Sequence, residues 1–269
     1  TRFGDVFYAF DKPAGMAVHP ANEDIEDLVS WIRTQKSLPR DLKPAHRLDR
    51  ATSGVVLCGA GSKARAQLNA WLEEGSVKMY QALVAGEPES DEFTLNSPLF
   101  DERRKRPLAA ETGYRVLERF EGFALLELQL VTGRKHQLRR HMAMLGHSIV
   151  GDHRYASRRY KHNEPGDGGA DNFIAEVVRG EESDDSDRNA EDHVSRRQAF
   201  DAAEVSLVDA GVGGLFLASV SLEVPLASAP GGRLALAIET PARFGARIAY
   251  EARQTQAAAG AAKTATSIE

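Results

Sequence analysis

Cysteine is nearly absent from this sequence, because Cys58 is the only one in 269 residues. A lone thiol cannot build an intramolecular disulfide framework, and it argues strongly against a cysteine-based zinc site. Cys58 lies in the apolar run GVVLCGA, which predicts a buried core thiol. Low cysteine usage is typical of proteins in a reducing compartment, so we predict a cytoplasmic location.

Long apolar runs are also missing. No stretch approaches the ~20 apolar residues that span a bilayer, so we predict no membrane segment. No Gly-Lys-Ser/Thr follows the turn at Gly59-Ala60-Gly61, which argues against a nucleotide-binding P-loop. His136 and His141 are not spaced to share one helix face, as a metal-binding pair requires. We therefore predict neither a metal nor a nucleotide cofactor.

The chain also lacks the positive net charge that favours nucleic-acid binding, since its formal charge is −5 at pH 7. The charge is unevenly distributed. Segment 162–194 holds eleven acidic residues and two arginines, and the rest of the chain carries +4, which permits RNA binding without arguing for it. We predict a single domain over 1–254 with a disordered acidic insertion at 162–194, followed by a low-complexity tail at 255–269.

Apolar periodicity predicts interleaved strands and helices, and hence an α+β fold with a mixed, largely antiparallel central sheet. One hairpin is expected around Glu121-Gly122. The second predicted helix takes Ser62 as its N-cap and Gly75 as its C-cap. The predicted helices are 22–35, 63–74 and 136–145. The predicted strands are 6–10, 54–59, 77–84, 112–119, 123–130, 215–224 and 234–239.

The string HRLDRATSG (46–54) is the most informative part of the sequence. Asp49 stands between Arg47 and Arg50, and positive charge nearby favours an ionised carboxylate, which suits a nucleophile or a general base. A small-residue turn and a buried strand follow, so Asp49 is expected at the rim of the sheet. From composition alone, a surface ion pair is the favoured explanation of these residues, because perturbed acids are often only structural.

Four strings, in order, resemble the RluA-type pseudouridine synthases. HRLDRATSG is similar to the central motif of that family, and the other three match its opening loop, its Lys/Arg-x-Tyr strand and its TGR-x-HQ segment followed by GD-x-x-Y. These strings are DKPAGMAVHP (11–20), VKMYQALVAG (77–86) and TGRKHQLRRHMAMLGHSIVGDHRY (132–155). The resemblance implies the pseudouridine synthase catalytic fold and RNA, either tRNA or rRNA, as the partner of a protein that we expect to be monomeric.

Carried over by position, the resemblance implies three catalytic residues. Asp49 would be the catalytic aspartate, Tyr80 would stack on the target base, and Arg139 would pair with Asp49. Arg47 would fill the place that the flipped uridine leaves in the RNA stack. Further residues that we expect to bind the substrate are His46, Arg50, Thr52, Arg134 and His136. The reaction that the resemblance implies is the isomerisation of uridine to pseudouridine in structured RNA. It breaks the N1–C1′ bond, rotates the uracil and joins C5 to C1′, so it needs no cofactor.

One departure from the family pattern, one basic run and two alternative functions stay open. The Leu-His-Ala of the family's late strand corresponds here to Leu217-Ala218-Ser219. The basic run Arg103–Arg106 is either a solvated loop or a segment that binds RNA phosphates. A non-catalytic RNA-binding or RNA-folding protein could use the same scaffold. A glycosidase would need a second acid, for which Asp152 is the candidate.

Overall fold

The computed structural model describes residues 2–3, 6–20, 25–155, 214–225 and 232–249. The predicted acidic insertion at 162–194 and the predicted tail at 255–269 lie outside these residues. No helix in the described ranges is long and apolar enough to span a membrane. The strands are β1 (Arg2–Phe3), β2 (Phe7–Lys12), β3 (Leu42–Pro44), β4 (Ser53–Ala60), β5 (Val77–Ala85), β6 (Glu92–Asn96), β7 (Leu99–Asp101), β8 (Arg106–Leu108), β9 (Glu111–Phe120), β10 (Phe123–Leu130), β11 (Leu217–Pro225) and β12 (Arg233–Ala237). The helices are α1 (Leu28–Thr34), α2 (Gly61–Glu73) and α3 (Gln137–Met144), and a further helical stretch covers 242–249.

Ten of these strands form one sheet. Its order is β1-β2-β4-β11-β5-β10-β9-β6, with β3 paired to β4 and β12 paired to β11, while β7 and β8 form a separate two-stranded hairpin. Among the described strands, β4 and β11 are the parallel pair and the other pairings are antiparallel. The predicted α+β class with a mixed, largely antiparallel sheet is confirmed.

The predicted hairpin is confirmed as β9 and β10. The turn between them contains Gly122 at φ +80, a conformation that glycine adopts without strain. Leu126 and Leu128 are fully buried, as their alternation with polar residues predicts. The other predicted strands are present within a few residues of their expected ends. For example, β2 continues to Lys12 rather than ending before the loop.

The first helix is shorter than predicted. Asp27 is its N-cap, and its Oδ1 atom accepts a hydrogen bond from the backbone N–H of Ser30 at 2.8 Å. Asp27 also forms an isolated parallel bridge with Ala17, which fixes how the chain enters the helix. The apolar spacing seen from Ile25 onward therefore overran the true helix start.

Ser62 is not the N-cap of α2, contrary to the prediction. The helix begins at Gly61, and its N-cap is Ala60, the last residue of β4, which has no capping side chain. The strand therefore runs directly into the helix, and Ser62 lies in the first turn. Gly75 follows the C-cap Glu74 at φ +101, the position at which glycine commonly ends a helix.

The sheet is covered on both faces. One face packs against α1 and α3, with Leu28 and Met142 among the residues of the larger core cluster. The other face packs against α2 through Leu68. Cys58 is fully buried in the larger cluster, as predicted, and burial raises the pKa of its thiol to about 12. The face that carries α3 also carries the motif residues described next.

Candidate active site

Asp49 lies in the loop between β3 and β4 and faces a cavity of about 550 Å³. The backbone N–H of Thr52 donates to the Asp49 carbonyl at 3.1 Å, and Leu48 anchors the loop in the core. The Asp49 side chain is 29% exposed, so its carboxylate is held by the protein yet open to a ligand. Most of the predicted site residues line this cavity, namely Asp49, Tyr80, Arg139, Arg47, Thr52, Arg134 and His136.

His46 and Arg50 do not line the cavity, so the substrate-binding role expected for them stays a prediction. The Nε2 atom of His46 accepts a hydrogen bond from the backbone N–H of Leu57 at 2.9 Å, and burial lowers the pKa of His46 to about 4. His46 is therefore a neutral imidazole that ties the loop to β4. The side chain of Arg50 is exposed, and its carbonyl accepts from the backbone N–H of Gly15 at 2.8 Å.

Lys12 holds the opening loop against the Asp49 loop, a role that sequence reasoning missed. Its Nζ atom donates to the carbonyls of Pro13 and Met16 at 2.8 Å each and to that of Arg50 at 3.3 Å. The residue is fully buried. Burial lowers the pKa of Lys12 to about 8, against the opposing charge of Asp49. The first two motifs are thus joined by one buried ammonium group.

Tyr80 projects from β5 into the cavity wall and is 8% exposed. Burial raises the pKa of Tyr80 to about 12, a hydrogen bond with the Ser219 side chain opposes this rise, and the charge of Asp49 adds to it. The phenol is therefore neutral at physiological pH. Ser219 lies directly opposite Tyr80 in the register of β11 and β5, so the divergent Leu217-Ala218-Ser219 segment contacts the site.

Arg139 pairs with Asp152. The resemblance had implied a pair between Arg139 and Asp49, and that expectation is wrong. Its Nε and Nη2 atoms donate to the two carboxylate oxygens of Asp152 at 2.8 and 2.7 Å, in a bidentate arrangement. The Asp152 side chain is fully buried, and its Oδ1 also accepts from the backbone N–H groups of Arg154 and Tyr155 at 3.1 Å. This preformed acceptor explains the pairing, and it keeps the guanidinium of Arg139 against the cavity.

His136 is the basic residue nearest to the Asp49 carboxylate in the described ion pairs. Its Nε2 atom lies 3.8 Å from Asp49 Oδ1, and its Nδ1 atom is hydrogen-bonded to the Tyr155 hydroxyl at 2.9 Å. Burial lowers the pKa of His136 below its usual 6.5, the charge of Asp49 opposes that shift, and Arg139 reinforces it. A neutral ring that accepts from Tyr155 presents an N–H to Asp49. Tyr155 belonged to a matched string, but no signal in the sequence indicated this contact.

The turn that carries Arg134 and His136 is organised by Gln137. The Oε1 atom of Gln137 accepts from the Thr132 hydroxyl and the Arg134 backbone N–H at 2.8 and 3.0 Å. Its Nε2 atom donates to the Glu111 carbonyl and the Thr112 hydroxyl at 2.9 and 3.0 Å. Gln137 is buried, so these bonds satisfy its amide and fix the turn to β9.

His136 takes a left-handed conformation at φ +53 as the N-cap of α3. Such a conformation is uncommon for a residue with a side chain, and it aims the ring at Asp49.

Three acids line the cavity, namely Asp49, Asp101 and Glu102. Asp101 accepts from backbone N–H groups of its own turn, and Glu102 is paired with Lys135 at 4.0 Å, so Asp49 is the motif acid that faces the cavity among basic groups. Asp152, the second acid of the glycosidase interpretation, does not line the cavity, because both of its oxygens bind Arg139. The arrangement therefore suits nucleophilic or basic chemistry by Asp49 on a ligand that enters a cavity large enough for a nucleotide-sized group.

Comparisons with known proteins agree with this description. The family model described as RNA pseudouridylate synthase matches residues 6–144, more than half of the chain. The chain is 35% identical over 164 residues to "Ribosomal large subunit pseudouridine synthase C" of Vibrio parahaemolyticus, with 58% of this chain and 52% of that protein covered. It is 37% identical over 174 residues to "tRNA pseudouridine synthase C" of Salmonella typhimurium, with 56% and 66% covered.

The chain thus spans about half to two thirds of the length of these relatives. A solved structure titled "Human RNA Pseudouridylate Synthase Domain Containing 4" shares the fold. Its TM-score is 0.62 at 22% identity, with 94% of this chain and 92% of that chain covered.

Proposed function

We propose that this chain, which belongs to the RNA pseudouridylate synthase family, isomerises uridine to pseudouridine in structured RNA. The observation that carries the proposal is the position of Asp49, whose carboxylate is partly exposed in a cavity also lined by Tyr80 and Arg47. Relatives are named for tRNA and for ribosomal RNA, so both are candidate substrates.

The target base must first leave the RNA stack, because a stacked base cannot reach the cavity. Extrusion costs a few kcal/mol. Arg47 is exposed beside the cavity and would take the vacated place in the stack. Stacking on Tyr80 would return roughly 1–3 kcal/mol, the usual value for a base on an aromatic ring. Because the Tyr80 phenol is neutral, it can lie against uracil without adding a charge.

Asp49 would then act on the ribose of the extruded nucleotide. Its carboxylate either attacks C1′ or removes a proton from the sugar, and the electrons of the N1–C1′ bond leave with the uracil. The detached uracil turns in the cavity and C5 bonds to C1′. This bond either displaces the Asp49 carboxylate from C1′ or is accompanied by return of the abstracted proton to the sugar. C5 then loses its proton and N1 gains one, which gives pseudouridine. His136 and Arg139 would keep the carboxylate and the detached base in place, since both line the cavity.

The test is tritium release from RNA labelled at uracil C5, measured separately on total tRNA and total rRNA from cells that lack the gene. We expect release from one pool with the parent protein and none with Asp49→Asn, whose side chain has nearly the same shape. Asp91→Asn, an exposed change outside the cavity, should behave like the parent. An Asp49→Asn variant that folds, releases no tritium and still restores the biological role would support a non-catalytic RNA-folding protein instead.

The proposal also covers the oligomeric state, the location and the cofactor requirement of the protein. We propose that the protein works as a monomer in the cytoplasm and uses no nucleotide cofactor. The buried, unreactive Cys58 suits a reducing compartment. The isomerisation moves one bond within the substrate, so the chemistry has no step for a metal or redox group.

A further inference from the structure

The hairpin of β7 and β8 carries a basic run that the chemistry above does not use. We call residues Arg103, Arg104, Lys105 and Arg106 the basic tip, since they form the turn and the start of the second strand of this hairpin. All four side chains are exposed. The hairpin stands apart from the main sheet. Such a run is usually a solvated loop, so its attachment decides whether it has a role.

Two buried residues of α3 attach the hairpin to the site. Arg140 donates from Nη1 to the Phe100 carbonyl at 3.1 Å, and His141 contacts the Ser97 carbonyl through Nε2 at 3.0 Å. Leu99 is 1% exposed and packs with residues of the same helix. Because α3 also carries Arg139, the hairpin is held at a fixed position relative to the cavity.

The turn itself has a defined shape. Asp101 accepts hydrogen bonds at Oδ1 from the backbone N–H groups of Arg103 and Arg104, at 2.9 and 2.8 Å. Lys105 completes the turn at φ +51. The backbone hydrogen bond from Arg104 contributes most to lowering the pKa of Asp101, so this carboxylate is ionised and committed to the turn. The basic side chains therefore extend from a turn whose backbone is fixed by hydrogen bonds.

Among the described residues, Asp101 is the acid whose charge interacts with Arg103 and Arg104 of the basic tip, and its carboxylate is held by the backbone of the turn. In the part of the chain that the structure describes, the ion pairs within 4.0 Å include none of its four side chains, and Glu102 pairs with Lys135 instead. Arg103 lines the same cavity as Asp49. The basic tip therefore continues the basic wall of the cavity out onto the surface.

We propose that the basic tip binds phosphodiester groups of the RNA strand beside the extruded uridine. The inference rests on the proposed function, since it takes RNA as the substrate. Contacts with phosphates fix the position of an RNA without reading its sequence. The basic tip thus holds the flanking backbone while the target nucleotide occupies the cavity, and it raises affinity for every RNA of suitable shape.

The test measures RNA binding in the Asp49→Asn background, where catalysis does not interfere. An unmodified tRNA transcript and an rRNA fragment serve as probes, from about 50 to about 200 mM salt. The test variant is Arg104→Gln/Lys105→Gln/Arg106→Gln. A charge-retaining variant, Arg104→Lys/Arg106→Lys, controls for shape, and Arg33→Gln/Lys36→Gln removes exposed positive charge away from the cavity. Thermal unfolding checks that each variant is folded.

Each lost phosphate contact lowers the slope of log affinity against log salt by about 0.7–0.9. We therefore expect the slope of the test variant to fall by about 2, with affinity reduced on the order of 10- to 100-fold at low salt. Both control variants should keep the parental slope. A test variant with the parental slope, or a charge-retaining variant that loses the same slope, overturns the proposal.

Tritium release separates this inference from the proposed function. With Asp49 intact, the test variant should show its loss mainly as a higher KM. If the parent releases no tritium but the test variant loses salt-dependent binding, the isomerase proposal fails and the role of the basic tip stands. If the parent isomerises uridine and the salt slopes are equal, the basic tip has no such role.

Discussion

Replacing Gly54 with alanine tests how closely β4 and β11 approach each other beside the site. Gly54 has φ +122, and a Cβ atom there would overlap the backbone oxygen of Ser219. The same Cβ would lie 2.7 Å from the Ser219 nitrogen and 2.8 Å from its carbonyl carbon. Because these are backbone atoms of a central strand, no side-chain rotation relieves the overlap, and the two strands must separate.

Two penalties combine in Gly54→Ala. The unusual backbone conformation costs a residue with a side chain about 1–3 kcal/mol. Forcing extra volume into a packed interior costs about 1–3 kcal/mol more. We expect the free energy of unfolding to fall by about 2–6 kcal/mol, a large part of the ~5–15 kcal/mol that stabilises a typical protein. Urea denaturation measures this change.

Gly122→Ala is the matched control. Gly122 also has positive φ, at +80, but nothing lies within 4 Å of a Cβ placed there. This variant should lose only the conformational penalty, about 1–3 kcal/mol. The difference between the two variants isolates the close approach of the strands. If both lose the same stability to within about 0.5 kcal/mol, the close approach of β4 and β11 is refuted.

Two further predictions concern buried charge. Asp152→Asn should lower the free energy of unfolding by about 3–5 kcal/mol, because it leaves the Arg139 guanidinium without its buried carboxylate. Asp91→Asn, which removes the exposed partner of Arg119, should cost at most about 1 kcal/mol by the same urea denaturation, and equal losses would contradict the argument. Burial lowers the pKa of His141 to about 4, so between pH 6.5 and 4 the unfolded chain binds a proton that the folded chain does not, and stability falls as the pH falls. His141→Gln should flatten this pH dependence by about 3 kcal/mol, and a parental pH dependence in the variant would show that the ring titrates normally.

Local patterns were sufficient for much of the fold. The alternation of Leu126 and Leu128 with polar residues, and the glycine at the turn, specify the hairpin of β9 and β10 within a few residues of chain. The apolar spacing of α3 and its stop at Gly146 are equally local. The starts of α1 and α2 were harder to predict. The N-cap Asp27 is positioned by its bridge with Ala17, and the N-cap Ala60 is the last residue of the preceding strand. The apolar pattern within one helix contains neither relation.

The site was predictable as a set of residues but not as a set of contacts. The motif strings brought Asp49 and Tyr80 to one cavity, as expected. They did not reveal that Arg139 pairs with Asp152. Asp49 and Asp152 could each balance the charge of Arg139, and only the bidentate geometry of the folded chain decides between them. Lys12 was overlooked for a related reason, since its partners are backbone carbonyls, which leave no trace in a sequence.

The dependence of the site on β11 follows from the topology. This strand lies between β4, whose preceding loop carries Asp49, and β5, which carries Tyr80. Ser219 is in register with Gly54 on one side and with Tyr80 on the other, and Leu217 of the same strand lines the cavity. The four matched strings end at residue 155, so the strand that spaces Asp49 from Tyr80 lies beyond all of them. A substitution in β11 can therefore alter the proposed isomerisation without changing any motif residue, and the Ser219 contact with Tyr80 is where this chain departs from the family pattern.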